Sequence, residues 1–451
     1  MDPVIFREYD IRAVVDKELD DAGVIRLGRA LGAYYQSRRV NDITLGHDCR
    51  LSSDRYVDLL TQGLTGSGIM VTDIGLVTTP MLYFSIHAFK KQGGVMITAS
   101  HNPPQYNGFK ICTGPQTISG AEIQEIRMIA EKGDFIEGKG AVTQADVATP
   151  YLDYLVKNIH IQRPVTIGVD AGNGAGGPMA LAAYQALGIK ATGIYCDVDG
   201  RFPNHPPDPT VMKNLVDLSD LVKSLNLEVG IGFDGDGDRV GVVDERGRVI
   251  YGDRLLVIFA REILARRPGA AILGEVKCSD KLFRDIERHG GRAVMWKTGH
   301  SLMKQKMVEE DAALGGEMSG HMFFADRFLG FDDALYASLR LIEIMSRDNK
   351  PLSEYLADVP EGFTTPEIRV DCPDHLKFAL VEAVKEDLRK DYRIIDIDGV
   401  RAIFDHGWGL LRASNTQPVI VMRFEADTEA ELNRLQSLVE AKVTAARQIM
   451  G

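Results

Sequence analysis

The chain has 451 residues, of which 45% are hydrophobic and 26% are charged. This composition is that of a globular protein with ample apolar material for several cores, and it excludes disordered and fibrous classes. Lysine and arginine number 52 against 64 aspartate and glutamate residues, which gives a net charge of −12. No basic excess exists to neutralise nucleic acid or an anionic membrane, so neither is an expected partner. At roughly 150 residues per domain, the length indicates about three domains, with two to four all consistent.

The cysteines and the N-terminal segment indicate where the protein works. The five cysteines are scattered and form no C-x-x-C pair, so neither a disulfide framework nor a zinc knuckle is expected. The first ten residues contain early charges and lack the apolar stretch of a signal peptide. The longest apolar run, residues 255–260, is too short to span a membrane. We therefore expect a cytoplasmic protein, and nothing in the sequence points to an obligate protein partner.

A pattern of strands and helices recurs three times along the chain. Each unit begins with a strand rich in β-branched residues, continues through a helix-like stretch to a second strand, and closes with a third strand that runs into a polar loop. Strands that alternate with helices predict βαβ units with largely parallel sheets. The predicted strands are residues 42–50, 68–76 and 94–98, then 165–173, 188–197 and 228–233, and finally 271–279, 291–297 and 312–315.

The order of predicted elements changes from about residue 362, where a strand, a helix, several strands and a terminal helix follow one another. In the terminal helix Leu432, Leu435, Val439 and Val443 form an apolar stripe at helical spacing. The predicted fold is therefore α/β, with three similar α/β domains with mixed, largely parallel sheets plus a C-terminal α+β domain. The expected domain ranges are 1–146, 147–250, 251–360 and 361–451.

The motif DGDGDR begins at Asp234. Its carboxylates, on Asp234, Asp236 and Asp238, alternate with glycines that let the chain curl, so they can converge on one hard cation such as Mg²⁺. Without a cation the three charges would repel one another at short range. A calcium loop is the nearest alternative, since Glu245 stands at its twelfth position. Against it, Arg239 occupies the sixth position, where that loop needs glycine, and the flanking segments read as strands.

The loop TASHNPP carries Ser100 immediately after a predicted strand. The carboxyl end of such a strand is where α/β proteins place reacting groups. Taken alone, the loop favours a plain turn, because serine and Asn-Pro are common turn formers. An acyl-transfer serine is not indicated, since no G-x-S-x-G elbow surrounds it.

Residues 172–177 fit G-x-G-x-x-G after a predicted strand and before a helix, with Asp197 at the end of the next strand. This is the pattern of a dinucleotide-binding loop, so an NAD-dependent oxidoreductase is a distant alternative. Two observations oppose it. The other two units lack these glycines, and a dinucleotide site gives no role to the aspartate triad or to the Ser100 loop.

Two further loops offer groups suited to a phosphorylated sugar. The loop GEMSGH presents a carboxylate and a hydroxyl, on Glu317 and Ser319, that can bind vicinal hydroxyls, although a plain turn would look similar. The loop RASNTQP supplies a guanidinium, two hydroxyls and an amide, which together can form an anion nest for a phosphate. These four groups belong to Arg412, Ser414, Asn415 and Thr416.

The four loops, in this order, resemble the α-D-phosphohexomutase family, and within it the bacterial phosphomannomutase/phosphoglucomutase branch. The resemblance runs from FREYDIR at residues 6–12 to the final domain, and TASHNP, DGDGDR, GEMSGH and RASNT carry it. It implies a mutase that interconverts hexose 6-phosphate and hexose 1-phosphate, of mannose or glucose, through a phosphoserine enzyme. A hexose 1,6-bisphosphate would be both intermediate and activator. Nothing resembles a P-loop, so ATP is not an expected substrate.

The resemblance also assigns residues. Ser100 would carry the phosphoryl group, and the three aspartates would hold Mg²⁺ together with a phosphoserine oxygen. Because the four loops come from four domains, the site would lie in a central cleft. The implied catalytic residues are Ser100, Lys110, His300, Arg239 and Arg12, with Lys110 and His300 as candidates for general base and acid. The implied substrate-binding residues are Tyr9, Lys277, Glu317, Ser319, His321, Arg412, Ser414, Asn415 and Thr416.

A phosphoglucosamine mutase is the closer alternative. In that sibling group the phosphate loop has glycine where Asn415 stands, and the sugar loop has glutamine where Met318 stands. Both differences favour a neutral hexose. Glucose and mannose are not distinguished by the sequence, because the implied contacts to O3 and O4 do not involve C2, where the two sugars differ.

Overall fold

The structure, a computed structural model, describes residues 1–360, 362–415 and 417–450. In these residues the strands form four sheets that follow one another along the chain. Three are mixed sheets with helices between their strands, and the last belongs to an α+β unit, which confirms the predicted fold class. Within the same ranges no helix combines the length and the hydropathy needed to cross a bilayer.

The first unit has parallel strand pairs on one side of its sheet and antiparallel pairs on the other. Its elements are β1 (Ile11–Val14), α1 (Asp21–Ser37), β2 (Asp42–His47), α2 (Ser53–Gly66), β3 (Met70–Leu76), α3 (Thr79–Ala88), β4 (Gly93–Ile97), β5 (Tyr106–Thr113), β6 (Gln116–Thr117), α4 (Ala121–Lys132) and β7 (Val142–Gln144). The strand order is β1-β5-β4-β2-β3-β7, with β6 paired to β5.

The second and third units are smaller versions of the same plan. The second contains α5 (Ala148–Asn158), β8 (Thr166–Asp170), α6 (Gly177–Ala186), β9 (Lys190–Ile194), α7 (Val216–Leu225), β10 (Val229–Phe233), β11 (Val240–Asp244) and β12 (Val249–Ile250). The third contains α8 (Gly252–Arg266), β13 (Ala271–Glu275), α9 (Asp280–Arg288), β14 (Arg292–Trp296), α10 (His300–Glu309), β15 (Leu314–Gly316), β16 (Met322–Phe324) and α11 (Ala334–Met345). Their strand orders are β12-β11-β10-β8-β9 and β14-β13-β15-β16.

The three units share one topology. In each, the first strand of the repeat is central, with the second and third strands parallel to it on either side, as β4-β2-β3, β10-β8-β9 and β15-β13-β14. An antiparallel strand, β5, β11 or β16, then pairs with the third strand. The loop before this antiparallel strand carries Ser100 in the first unit, Asp234 in the second and Glu317 in the third. The predicted triplication is confirmed, and it places the three loops at equivalent positions.

The last unit is an antiparallel sheet covered by two helices. It contains β17 (Phe363–Thr364), β18 (Ile368–Asp371), α12 (Asp374–Leu388), β19 (Arg393–Ile395), β20 (Val400–Phe404), β21 (Gly407–Ala413), β22 (Val419–Ala426) and α13 (Glu429–Met450). The predicted stripe of Leu432, Leu435, Val439 and Val443 is the buried face of α13. It packs on β21 and β22 and closes the core of this unit.

The units are joined by shared apolar packing. One continuous core includes Met96 of the first unit, Ile167 of the second and Leu256 of the third. A small apolar cluster around Trp408 and Val276 joins the last unit to the third. Because burial of apolar side chains contributes roughly 25 cal/mol per Å², the continuous core fixes the first three loops relative to one another.

Candidate active site

Ser100 lies in the loop between β4 and β5, residues 98–105, here named the serine loop. Its φ of 50° is left-handed, a conformation that costs a non-glycine residue roughly 1–2 kcal/mol. The backbone N of Ser100 donates to Thr98 Oγ1 over 2.8 Å. The Ser100 hydroxyl donates to Asp234 Oδ2 over 2.9 Å, and His101 Nδ1 lies 3.1 Å from the same hydroxyl. The strained loop therefore presents the hydroxyl to the motif of the second unit.

The three aspartates of DGDGDR converge as predicted. Asp234, Asp236 and Asp238 are fully buried, and one carboxylate oxygen of each lies within 4.8 Å of the others. The curl depends on Gly237, whose φ of 75° glycine adopts without steric cost. The backbone N–H groups of Asp238 and Arg239 donate to Asp234 Oδ1 over 3.0 and 3.1 Å. The loop thus wraps around its own first carboxylate.

Side chains of the first unit bind the middle of this triad. Lys110 on β5 donates to Asp236 Oδ2 over 2.7 Å and also pairs with Asp238. Burial alone would lower the pKa of Lys110, but these two carboxylates raise it above its ordinary value. Thr79, at the first position of α3, donates its hydroxyl to Asp236 Oδ2 over 2.6 Å and its backbone N–H to Asp236 O over 2.9 Å. The sequence around Thr79 gives no sign of this contact.

The triad suits a hard divalent cation. Asp236 Oδ1 and Asp238 Oδ1 are buried and accept no hydrogen bond from the described residues, and carboxylate oxygens are the ligands that Mg²⁺ takes in proteins. A calcium loop is not formed. The flanking segments β10 and β11 are an antiparallel strand pair. The Glu245 carboxylate accepts from the Ser353 backbone N–H and hydroxyl over 3.1 and 2.5 Å instead, so it takes no part in the acidic site.

Two of the predicted arginines flank the serine loop. Arg12 on β1 donates to Asn102 Oδ1 over 2.6 Å, inside that loop. Arg239 donates from Nε to His321 Nε2 over 2.9 Å and lies 3.9 Å from Asp234 Oδ2. Arg12 thus contributes positive charge beside the serine loop, and Arg239 contributes it beside Asp234.

The loop between β15 and β16 is organised around Glu317. Its Oε1 accepts from the Gly299 backbone N–H over 2.7 Å, and the Ser319 hydroxyl donates to its Oε2 over 3.1 Å. The Glu317 backbone N–H also closes the loop on His321 O over 2.9 Å. The carboxylate and the hydroxyl predicted to bind a sugar are therefore held side by side.

The buried carboxylate of Glu275, beside the loop that contains Glu317, positions Lys277. Lys277 Nζ lies 3.5 Å from Glu275 Oε1 and 3.3 Å from Glu367 Oε2. Glu275, at the end of β13, accepts from the Met318 backbone N–H over 2.8 Å and from the Thr298 hydroxyl over 2.5 Å. Glu275 therefore joins Lys277 to the sugar loop, although its sequence position gives no sign of this.

His321 and His300 share a carboxylate that the sequence did not reveal. Because His321 Nε2 accepts from Arg239, its Nδ1 carries the ring proton, and it faces Asp332 Oδ2 at 3.1 Å. The ammonium of Lys304 donates to Asp332 Oδ1 over 3.1 Å, and His300 Nδ1 is 3.9 Å from Oδ2. Burial and the nearby Lys304 hold the pKa of His300 well below its ordinary value. The His300 imidazole is therefore neutral.

The loop after β21 meets the N-terminal segment. Arg412 donates from Nε to Asp398 Oδ2 over 2.9 Å. Asn415 Nδ2 donates to the hydroxyl of Tyr9 over 2.7 Å, and that hydroxyl donates to Thr298 O over 2.8 Å. The predicted residues of the first and last units are thus brought into contact beside the third unit.

Ser414 and Thr416 are the remaining predicted members of this loop. The Ser414 backbone N–H donates to Val419 O over 2.9 Å, and its hydroxyl accepts from the Gln417 backbone N–H over 3.2 Å. Thr416 lies outside the described residues. The turn is therefore anchored at both ends around the predicted phosphate-binding positions.

The glycine-rich segment 172–177 packs against the DGDGDR loop, here named the metal motif, and does not form a nucleotide site. A Cβ at Gly174 would come within 2.8 Å of Gly235 O, and one at Gly172 within 3.1 Å of the Pro207 backbone. The Ala175 backbone N–H donates to Gly235 O over 3.0 Å. The glycines allow these two loops to touch, so the space that a dinucleotide phosphate would need is filled by protein.

The fold and this site define a phosphoryl-transfer enzyme of the phosphohexomutase class. Comparison with protein-family models supports this class in each of the four units. Models described as phosphoglucomutase/phosphomannomutase alpha/beta/alpha domains I, II and III match residues 3–137, 149–247 and 251–363, and the model of the C-terminal domain matches residues 367–442. The chain belongs to the phosphoglucomutase/phosphomannomutase family.

Individual relatives align over nearly the full length. A phosphomannomutase/phosphoglucomutase of Pseudomonas aeruginosa is 46% identical over 442 residues, which cover 98% of this chain and 96% of the relative. A phosphoglucomutase of Neisseria gonorrhoeae is 45% identical over 444 residues, covering 97% and 96%. The crystal structure of a phosphoglucomutase/phosphomannomutase family protein from Burkholderia thailandensis superposes with a TM-score of 0.94 at 40% identity, covering 99% of this chain and 98% of that one.

Proposed function

We propose that the chain interconverts hexose 6-phosphate and hexose 1-phosphate, with mannose, glucose or both as the sugar, through a phosphoserine at Ser100 and a hexose 1,6-bisphosphate. The relatives named phosphomannomutase/phosphoglucomutase and phosphoglucomutase support this activity. The observation that carries it is the 2.9 Å bond from the Ser100 hydroxyl to Asp234, one carboxylate of a buried triad. A hydroxyl placed there can hold a phosphoryl group next to a cation.

The metal we propose is Mg²⁺, with Asp234, Asp236, Asp238 and an oxygen on Ser100 as its ligands. When bound, it would neutralise negative charge on the transferring phosphoryl group. The chain adds positive charge of its own through Arg239, whose guanidinium is 3.9 Å from Asp234, and through Arg12 beside the serine loop. Such preorganised charge is most of what a protein contributes to phosphoryl transfer.

Each half-reaction also moves a proton. The sugar hydroxyl that attacks must lose one, and the serine oxygen that leaves must regain one. We assign these roles to His300 and Lys110. Both side chains are buried at the site, His300 beside Asp332 and Lys110 against Asp236 and Asp238.

The sugar and its second phosphate would be held away from the serine. We propose that Glu317 and Ser319 bind O3 and O4, with Lys277 and His321 beside them. The non-reacting phosphate would be bound by Arg412, Ser414, Asn415, Thr416 and Tyr9. A hexose 1,6-bisphosphate presents O3, O4 and one phosphate to these residues in either orientation. The intermediate can therefore turn around and return its other phosphate to Ser100.

An isomerisation assay tests the proposal. Mannose 1-phosphate, glucose 1-phosphate and glucosamine 1-phosphate are supplied side by side, each with and without hexose 1,6-bisphosphate. We expect conversion of the two neutral sugars and activation by the bisphosphate. Conversion of glucosamine 1-phosphate in preference to both would favour the phosphoglucosamine mutase alternative, and conversion of none would refute the proposal.

We also propose the domain ranges 1–146, 147–250, 251–360 and 361–451, a division that the succession of the four sheets supports. Each domain would supply one loop, for the phosphoserine, the metal, the sugar and the phosphate in turn. Sugar phosphates are the proposed small-molecule partners. The expected cytoplasmic location stays a prediction.

A further inference from the structure

Arg50 lies in the loop between β2 and α2 and is only 2% exposed. Its guanidinium donates four N–H groups to backbone carbonyls of the serine loop and of the first residue of β5. Nη1 donates to Pro103 O and Tyr106 O over 2.8 Å each, and Nη2 donates to Ser100 O over 2.7 Å and to Asn102 O over 2.6 Å. The chain from Ser100 to Tyr106 is thus wrapped around one side chain.

The guanidinium is itself held in place from two sides. Asp48 Oδ2 lies 3.3 Å from Arg50 Nε, and Asp48 Oδ1 accepts from the Arg50 backbone N–H and from the Ser53 hydroxyl over 3.0 Å each. On the other side, the ring of Phe202 from the second unit lies 5.3 Å from the guanidinium carbon. Arg50 therefore has little freedom to move.

The carbonyl of Ser100 links this anchor to the metal motif. Arg50 binds it on one side, and Gly235 packs against it on the other, where an added Cβ would come within 2.5 Å of the carbonyl oxygen. A displacement of this carbonyl would change both the left-handed backbone of Ser100 and its distance from Asp234. None of the bonds that Arg50 makes involves a residue proposed to bind the sugar or its second phosphate.

We infer that Arg50 is a positioning residue for phosphoryl transfer: it fixes the serine loop so that the Ser100 oxygen faces the aspartate triad. The inference rests on the proposed function. Lysine could keep the charge but not the planar fork that reaches four carbonyls. Since small misplacements of a reacting group cost about 10²-fold, Arg50→Lys should lower kcat roughly 10- to 100-fold while KM changes by less than about 3-fold.

The test compares Arg50→Lys with wild type and with Arg340→Lys in the full-length protein. Arg340 is a matched control, because it is equally buried and binds Asp326 O and Glu262 Oε2, each over 3.0 Å, away from the site. Steady-state kcat and KM, the single-turnover rate of phosphoryl transfer from phosphoenzyme to glucose 1-phosphate, and Tm are measured for all three. The expected result is a slow single turnover in Arg50→Lys only, with Tm lowered in both variants.

A single-turnover rate within about 2-fold of wild type, together with a lowered Tm, would overturn the inference and leave Arg50 a purely structural role. If Arg50→Lys does not fold, Asp48→Asn decides, since it loosens the guanidinium without removing it. We expect a loss of about 3- to 10-fold in kcat at unchanged KM, and an unchanged kcat would overturn the inference. An inactive wild type would instead refute the proposed function.

Discussion

Ser100 and Asp234 come from different units, and the bond between them joins the serine loop of the first to the metal motif of the second over 2.9 Å. Both residues lie before the antiparallel strand of their unit, so the repeated topology brings their loops to equivalent edges of two sheets. The shared core beneath the sheets then fixes the distance. The Ser100 hydroxyl is thus positioned by the packing of two repeats.

We predict that protein purified from cells carries phosphate on Ser100, because the proposed cycle rests with the phosphoryl group on the enzyme. Intact-mass measurement and peptide mapping of fresh protein would detect it. Ser100→Ala should lose the modification and the activity, whereas Ser224→Ala, at an exposed position on α7, should keep both. An unmodified Ser100 in a fully active enzyme that needs no bisphosphate would contradict the prediction.

Removal of the metal should stop turnover. Chelation is expected to abolish activity and Mg²⁺ to restore it, and Asp236→Asn should lower kcat far more than it raises KM, since the cation acts on the transferring group. Asp244→Asn is the control: this buried aspartate ends β11 and accepts the backbone N–H groups of Arg246 and Arg248. Equal losses in the two variants would point to a folding defect instead of a metal site.

Much of this site follows from the sequence because its chemistry is local. Three aspartates spaced by glycines, and a serine before Asn-Pro, are recognisable within a few residues. The strands were predictable for the same reason, since each is a β-branched run that ends in a polar loop. The glycine-rich segment 172–177 shows where a local pattern misleads. Glycines that could leave room for a phosphate here leave room for Gly235 of a neighbouring loop.

The supporting residues could not be predicted, because their partners lie far along the chain. Arg50 reaches carbonyls that lie 50 to 56 residues away, and Thr79 bonds Asp236 across 157 residues. Asp332 precedes Asp333, the N-cap of α11, so the pair reads as an ordinary helix start. Only the three-dimensional packing shows that Asp332 faces two histidines.

Asp332 should affect kcat by fixing the tautomer of His321. In an Asp332→Asn variant, the new amide would turn its N–H toward His321 Nδ1 and drive the ring proton to Nε2, where it would oppose the N–H of Arg239. We therefore expect Asp332→Asn to lower kcat about 10- to 100-fold and to change the ¹⁵N signature of the imidazole. Asp326→Asn, which removes a buried carboxylate paired with Arg340, is the control. An unchanged tautomer with normal kcat would exclude this role.

Asp333 should give stability a measurable pH dependence. Burial raises the pKa of this carboxyl to about 7, although Tyr151 and the Tyr336 backbone N–H donate to it. A raised folded-state pKa stabilises the fold below the unfolded value, about 3.9, and that contribution is lost as pH rises toward 7. Relative to Asp333→Asn, wild type should lose at most about 4 kcal/mol of unfolding free energy between pH 4 and 7. Urea unfolding of both proteins across this range checks it, and a pH-independent difference would contradict it.

The reorientation of the intermediate is tested at Arg412. The bisphosphate must be held at its far end in both half-reactions, first by one ester and then by the other, and RASNT is the loop that we assign to this task. Arg412 is buried, and its Nε is already fixed by Asp398 over 2.9 Å, so its remaining N–H groups are preorganised for an anion. Arg412→Ala should therefore cost ~1.5–3 kcal/mol of phosphate binding, or roughly 10- to 150-fold in kcat/KM.

The loss should be similar with 1-phosphate and 6-phosphate substrates, and more bisphosphate should escape per turnover, because the same contact tethers the intermediate. Arg389→Ala, at an exposed position after α12 where the guanidinium pairs with Asp396 over 3.0 Å, should change neither quantity. Both are measured as kcat/KM in each direction and as bisphosphate released per turnover. A defect confined to one direction would mean that a second phosphate site exists, since a single loop that serves both orientations must affect both half-reactions.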